Sequence, residues 1–163
     1  MSLPKQLIGL PLVLILFFGC TQVPRMDRQA PAVAVWDLEN LNPEEAIGPD
    51  MGELLASEVI ATLKEANTYQ VVERQRLILA LEELNLGSSS LADEATRLQI
   101  GRIIGARFMV FGSYLVLGDM MRLDLRLVEV ETGAVVKAAD KAAAAGDLNG
   151  WLEAARQATR EFN

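Results

Sequence analysis

The chain contains no histidine. Ser-His-Asp and Cys-His catalysis are excluded with it, and so is a zinc site of the common His/Cys kind. A single cysteine, Cys20, stands among 163 residues, so no disulfide can form within the chain. Basic side chains are the minority, 15 against 22 acidic, for a formal charge of −7. Phosphate binding needs clusters of Lys and Arg, so a nucleic-acid partner is not expected. Nor is a domain held on anionic lipid by charge alone. The apolar run Leu7–Phe18 is shorter than the roughly 20 residues that cross a bilayer as a helix. No internal repeat is present, and no cofactor is implied.

What the chain does have is an organised N-terminus. Lys5 supplies a positive charge, Leu7–Phe18 an apolar core interrupted only by Gly9 and Pro11, and Gly19 a small residue before Cys20. A charged start followed by about 7–15 apolar residues has the form of a secretory signal peptide. The run Leu16-Phe17-Phe18-Gly19-Cys20 resembles a lipobox, with Phe17 where leucine is usual. That resemblance implies that residues 1–19 are removed and that Cys20 is the lipidation site. A plain signal peptide, or a buried apolar helix holding a thiol, is the simpler alternative. Stable attachment takes more than one acyl chain. Residues 20–31 then form a lipidated tether, polar and proline-flanked, whose eleven residues from Thr21 reach roughly 35–40 Å when extended. By resemblance to lipoprotein sorting signals, Thr21 after the cysteine favours the outer membrane.

Residues 32–163 are long enough for one domain with its own core. Ala32–Leu38 is a nearly continuous apolar run, as a central strand requires. Residues 40–50 read as a loop. Met51–Glu65 carries apolar residues at three- and four-residue spacing, which predicts a helix with Asp50 as N-cap. Tyr69–Val72 is a short strand, Arg74–Asn85 a second helix, and Gly87–Ser90 a break. Asp93 caps a third helix that ends at Gly105. Phe108–Leu117 and Met120–Glu131 are strands joined at Gly118-Asp119, a two-residue hairpin signal. The alternation of the second slips at Leu127-Val128, the mark of a bulge. Ala134–Ala142 is an alanine-rich strand, and Asp147 opens a last helix.

The predicted fold class is α/β, a mixed five-stranded sheet of order 2-1-3-4-5. It begins parallel, ends as an antiparallel meander, and carries about four helices. The apolar first and third strands take the centre, and the short second and alanine-rich fifth take the edges. Trp36, Trp151 and Phe162 are core candidates.

The stretches VAVWDLEN, VVERQRL, ATRLQIGRIIGARFMVFGSY and LDLRLVEVETGAVV resemble the curli-assembly lipoprotein (CsgG-type) family. They are also similar to its relatives, the penicillin-binding-protein activator LpoB and the N-terminal domain of TolB. The resemblance covers residues 32–160. It implies a non-enzymatic outer-membrane lipoprotein that faces the periplasm and acts in cell-envelope assembly or secretion through envelope protein partners. An LpoB-like activator of a peptidoglycan synthase is the alternative within the family. Curli-type pores add two long membrane hairpins per subunit, for which the turns at Gly118-Asp119 and Thr132-Gly133 leave no room.

Two groups of residues are candidates for binding. Asp37, Glu39 and Asn40 stand at the end of the first strand, where open sheets place ligands. With Glu44 and Glu45 they form an acidic cluster. A small-ligand or metal-binding loop is one reading, a solvated loop the plainer one. Gly101, Gly105 and Gly112 read as caps and close packing, and Arg74 and Arg76 beside Glu73 as a solvated pair. Lys137, Ala138 and Asp140 lie on the alanine-rich strand, an edge with few bulky guards. Strand addition there is the expected mode of recognition, with the domain a monomer or weak homo-oligomer.

Overall fold

The computed structural model describes residues 29–42, 51–84 and 93–163. Cys20, Glu44, Glu45, Asp50 and the Gly87–Ser90 break lie outside the described residues. In chain order the elements are β1 (Ala32–Val35), β2 (Glu39–Asn40), α1 (Met51–Ala66), β3 (Gln70–Val71) and α2 (Arg74–Glu83). Then come α3 (Glu94–Ile103), β4 (Phe108–Leu117), β5 (Met120–Glu129), β6 (Val135–Ala144) and α4 (Leu148–Arg160).

One mixed sheet runs β3-β1-β4-β5-β6, with β2 alongside β4. Apart from β2, this is the predicted order. β1 is parallel to β3 and β4, and β4, β5 and β6 are successively antiparallel. β6 therefore runs in the same direction as β1. β3 and β6 are the edges, as predicted. The sequence reading took β1 to Leu38 as one strand. Instead β1 stops at Val35, and the two-residue β2 resumes parallel pairing at Glu39↔Ser113 and Asn40↔Tyr114. Glu39 and Asn40 are thus part of the sheet and not of a solvated loop.

The two faces bury different helices. α1 and α4 cover one face, where Val33, Val35, Leu55, Val59, Leu63, Val110, Leu123, Leu125, Trp151 and Phe162 meet. α2 and α3 cover part of the other, over Ala34, Trp36, Leu77, Ile100, Met109, Phe111, Val128 and Val130. All three predicted core aromatics are fully buried. Each large apolar side chain so covered stabilises by about 1.5–3 kcal/mol. Leu54 of α1 stands off the buried stripe and is 41% exposed.

The bulge falls where the alternation slips. Leu127 pairs with Lys137 while Val128 pairs with Val135. Up to Leu127 the apolar residues of β5 face α1 and α4; beyond it, Val128 and Val130 face α2 and α3. The extra residue is Val136 of β6, while β5 keeps its alternation: its odd-numbered residues face α1 and α4, and its even-numbered face, polar from Arg122 to Arg126, becomes apolar at Val128 and Val130. Gly118, with φ +61°, makes the tight β4–β5 turn, and Gly105, with φ +75°, ends α3; both are conformations that favour glycine.

Asp93 caps α3 by accepting the Thr96 N–H at 2.8 Å. That backbone bond holds its carboxyl below the ordinary carboxylate range. The support is therefore complete above the ordinary value and is lost as pH falls through the lowered one. On the opposite face, Arg156 of α4 reaches Glu58 of α1 at 2.8 Å and fixes the two helices together.

Candidate functional site

The first candidate group lies just past β1. Arg74, the first residue of α2, makes a two-pronged contact with Asp37: Nη1 bonds Oδ1, and Nη2 reaches Oδ2 at 3.1 Å. Nη2 also lies 3.4 Å from Glu53 of α1. Asp37 and Arg74 side chains are 25% and 27% exposed. The Asp37 hydrogen bond holds the guanidinium pKa above its ordinary value. One planar fork thus ties the end of β1 to the starts of α1 and α2, a geometry lysine does not reproduce.

This corrects the reading of Arg74 as a solvated partner of Glu73. Glu73 instead pairs with Lys64 at 3.1 Å. The Asp37–Arg74 partnership spans 37 positions, and no local pattern announces it. Arg74→Ala should destabilise the protein by about 1–2 kcal/mol, because Asp37 keeps its partial burial and loses its charged donor. Arg74→Lys should recover only part of that. Urea midpoints of the three proteins check this; an unchanged midpoint for Arg74→Ala refutes the clasp.

Glu39 and Asn40 are also structurally committed. Glu39 Oε2 stands 3.9 Å from Arg97 Nη1, and the Arg97 guanidinium lies 5.5 Å from the centre of the Trp36 ring. Asn40 Oδ1 accepts the Asn42 N–H at 2.9 Å, and Asn42 Nδ2 donates to the Val116 carbonyl at 3.1 Å. The connections from β1 and from β3 cross opposite faces of the sheet, so the chain directions part between β1 and β4. Ligands of open α/β sheets sit beyond the strand ends at such a point. Here β2 and the Leu41 N–H, bonded to the Tyr114 carbonyl at 3.0 Å, occupy it. Among the described residues no group of His, Cys, Asp and Glu could hold a metal ion. A recess of about 580 Å³ lies at the other end of the sheet, lined by Arg102, Arg107, Glu129 and Glu131 among others.

The second group lies on β6. Ala138 stands opposite Arg126, and Asp140 opposite Asp124. Lys137 and Lys141 point to the other face. Lys137 Nζ donates to the carbonyls of Phe162 at 2.6 Å and Asn163 at 3.3 Å, and Lys141 is paired with Glu161. The two lysines of β6 are therefore bound to the end of the α4 segment. The structure does not bring the two candidate groups together: the sheet separates them, with β4 and β5 between.

No helix among the described residues is long and apolar enough to cross a membrane. No curated protein matches the chain. Several solved structures share the fold. The LpoB C-terminal domain from Salmonella enterica is 20% identical, with a TM-score of 0.59 over 71% of this chain and 83% of that one. A PelC dodecamer from Paraburkholderia phytofirmans is 17% identical, TM-score 0.55, over 83% and 91%. Lipoprotein GNA1162 from Neisseria meningitidis is 14% identical, TM-score 0.53, over 71% and 81%. The family model described as the curli production assembly/transport component CsgG matches residues 20–118, more than half of the sequence, and the chain belongs to the CsgG family.

Proposed function

We propose that this protein is a non-enzymatic, lipid-anchored accessory factor of the cell envelope. In this reading it sits on the outer membrane, faces the periplasm and works by binding other proteins in assembly or secretion. The observation that carries the reading is that the CsgG family match begins at residue 20, the same cysteine at which the leader ends. The fold supports a binding role over a catalytic one, since β2 fills the crevice where a small ligand would sit. The β4–β5 turn is held to Gly118 and Asp119, which supports an accessory domain without the inserted hairpins of a pore. A tether of roughly 35–40 Å is too short for an activator that must reach across the periplasm to a synthase.

The test is fractionation. The wild-type chain should partition with outer membranes and begin at an acylated Cys20 by mass spectrometry. Cys20→Ala should leave the membrane fraction; if it remains there, the anchor is wrong. PelC from Paraburkholderia phytofirmans is a dodecamer. This chain, in contrast, is expected to be a monomer or weak oligomer, and light scattering from the detergent-solubilised protein that shows a stable ring would overturn that.

A further inference from the structure

We propose that β6 captures an extended segment of another protein by strand addition, and that the segment carries a basic residue opposite Asp140. The backbone comes first. Ala145 donates its N–H to the Asp119 carbonyl at 2.8 Å, and the register pairs residues directly across from there back to Lys137. In an antiparallel ladder, bonded and non-bonded positions alternate. The odd-numbered residues of β6 from Lys137 to Ala143 therefore bond to β5. Ala138, Asp140, Ala142 and Ala144 turn their N–H and C=O groups outward. The Ala144 carbonyl is already taken by the Asp147 N–H and by Trp151 Nε1. Ala138, Asp140 and Ala142 are exposed, and among the described residues their outward groups have no partner. They form a ready template for another strand.

The usual guards of such an edge are out of position. Long cationic side chains along an edge discourage pairing. Lys137 and Lys141 are instead held by the end of the α4 segment, on the face that α4 covers. The side chains beside the outward groups are three alanines and Asp140, all on the opposite face.

Charge then selects the occupant. Asp140 sits directly across from Asp124, a like-charge pairing that costs stability. Arg122 stands two residues along β5 on the same face. It bonds Asp124 at 2.9 Å, and both aspartates hold its pKa above the ordinary value. Arg126, the next cation on that face, lies 3.9 Å from Glu94. The local sum leaves one carboxylate in excess, at the strand that faces outward. An added strand places a side chain directly opposite Asp140, and a Lys or Arg there offsets the excess negative charge of the Asp124–Asp140 row. A second copy of this chain fits less well. A two-fold pairing centred on Ala139 sets Lys137 against Lys141, and one centred on Asp140 or Lys141 sets that residue against itself. Pairings centred on Ala138 or Ala142 avoid repulsion but put only Val136 or Ala144 opposite Asp140.

The inference rests on the proposed function only in taking a polypeptide as the ligand, so it is tested apart from membrane attachment. The probe is the fluorescent peptide Thr-Val-Thr-Val-Lys-Val-Thr-Val-Thr, with versions carrying Glu in place of Lys or N-methyl groups at alternate residues. Binding to the full chain in detergent is measured by anisotropy. The Lys peptide should bind about three- to tenfold more tightly than the Glu peptide, the range expected for a cross-strand charge pair. Asp140→Lys should invert that order. N-methylation should abolish binding, as should Ala138→Pro, which removes an outward N–H without breaking a bond to β5. Circular dichroism confirms that each variant is folded. The proposal is overturned by absence of binding, by a preference that Asp140→Lys leaves unchanged, or by a dimer in sedimentation that Ala138→Pro dissociates. The last outcome would assign the edge to a second copy of the chain.

Discussion

Replacing Gly52 with alanine is expected to destabilise the protein by about 3 kcal/mol, the upper part of the range for overpacking. A Cβ at this position would stand 2.1 Å from the Leu38 carbonyl oxygen and 3.2 Å from its carbon. Those are backbone atoms, so no side-chain rotation relieves the clash. Either α1 slides away from the sheet or the segment between β1 and β2 is pushed out. The second movement breaks the 3.2 Å bond from the Leu38 N–H to the Gly52 carbonyl and unseats β2. The first lifts Leu55 and Val59, both fully buried, from their contacts. Urea denaturation should show a lowered midpoint with little change in slope. A loss below about 0.5 kcal/mol, the scale of an ordinary surface change, would mean that the approach of α1 to β1 is looser than described.

Trp151→Ala should cost more, about 3–5 kcal/mol. The indole is 1% exposed, its ring centre is 5.9 Å from that of Tyr114, and its Nε1 donates to the Ala144 carbonyl at 2.9 Å. It joins α4 to the end of β6 and fills the space beneath the meander. Trp151→Phe keeps most of the buried area and should lose about 1–2 kcal/mol, combining a missing hydrogen bond with a smaller ring. A comparable loss for both variants would show that the Nε1 bond, and not the volume, dominates. Calorimetry of the two variants against the parent distinguishes these outcomes.

The sheet order could be read from the sequence because the two central strands had to be apolar on both faces. The runs Ala32–Leu38 and Phe108–Leu117 met that condition, while the short β3 and the alanine-rich β6 did not. The bulge was expected at Leu127-Val128 and is found there, but the unpaired residue is Val136 of β6, and β5 itself keeps a period of two. Gly112 was read as a point of close packing, and a Cβ there would come within 2.6 Å of Leu125 and 2.8 Å of Leu38. What the sequence hid were partnerships across long separations. The pattern around Asp37 is a generic acidic loop; its meaning comes from an arginine on another element. Likewise β2 is two residues long, too short for any periodicity, and is held only by its place beside β4. On β6, no local pattern shows that Lys137 and Lys141 are bound by the end of the α4 segment.

The shared direction of β1 and β6 sets how a captured strand would stand relative to the proposed anchor. In the proposed arrangement, with Cys20 lipidated and the start of β1 toward the membrane, β1 leads away from the lipid. β6 leads away with it, and its ten residues run for roughly 33 Å. An antiparallel guest on this edge would have its C-terminus toward the membrane and its N-terminus toward the cell interior; a parallel guest would be reversed. The polarity of a captured strand would thus fix which of its ends faces the proposed anchor, before any side chain is compared.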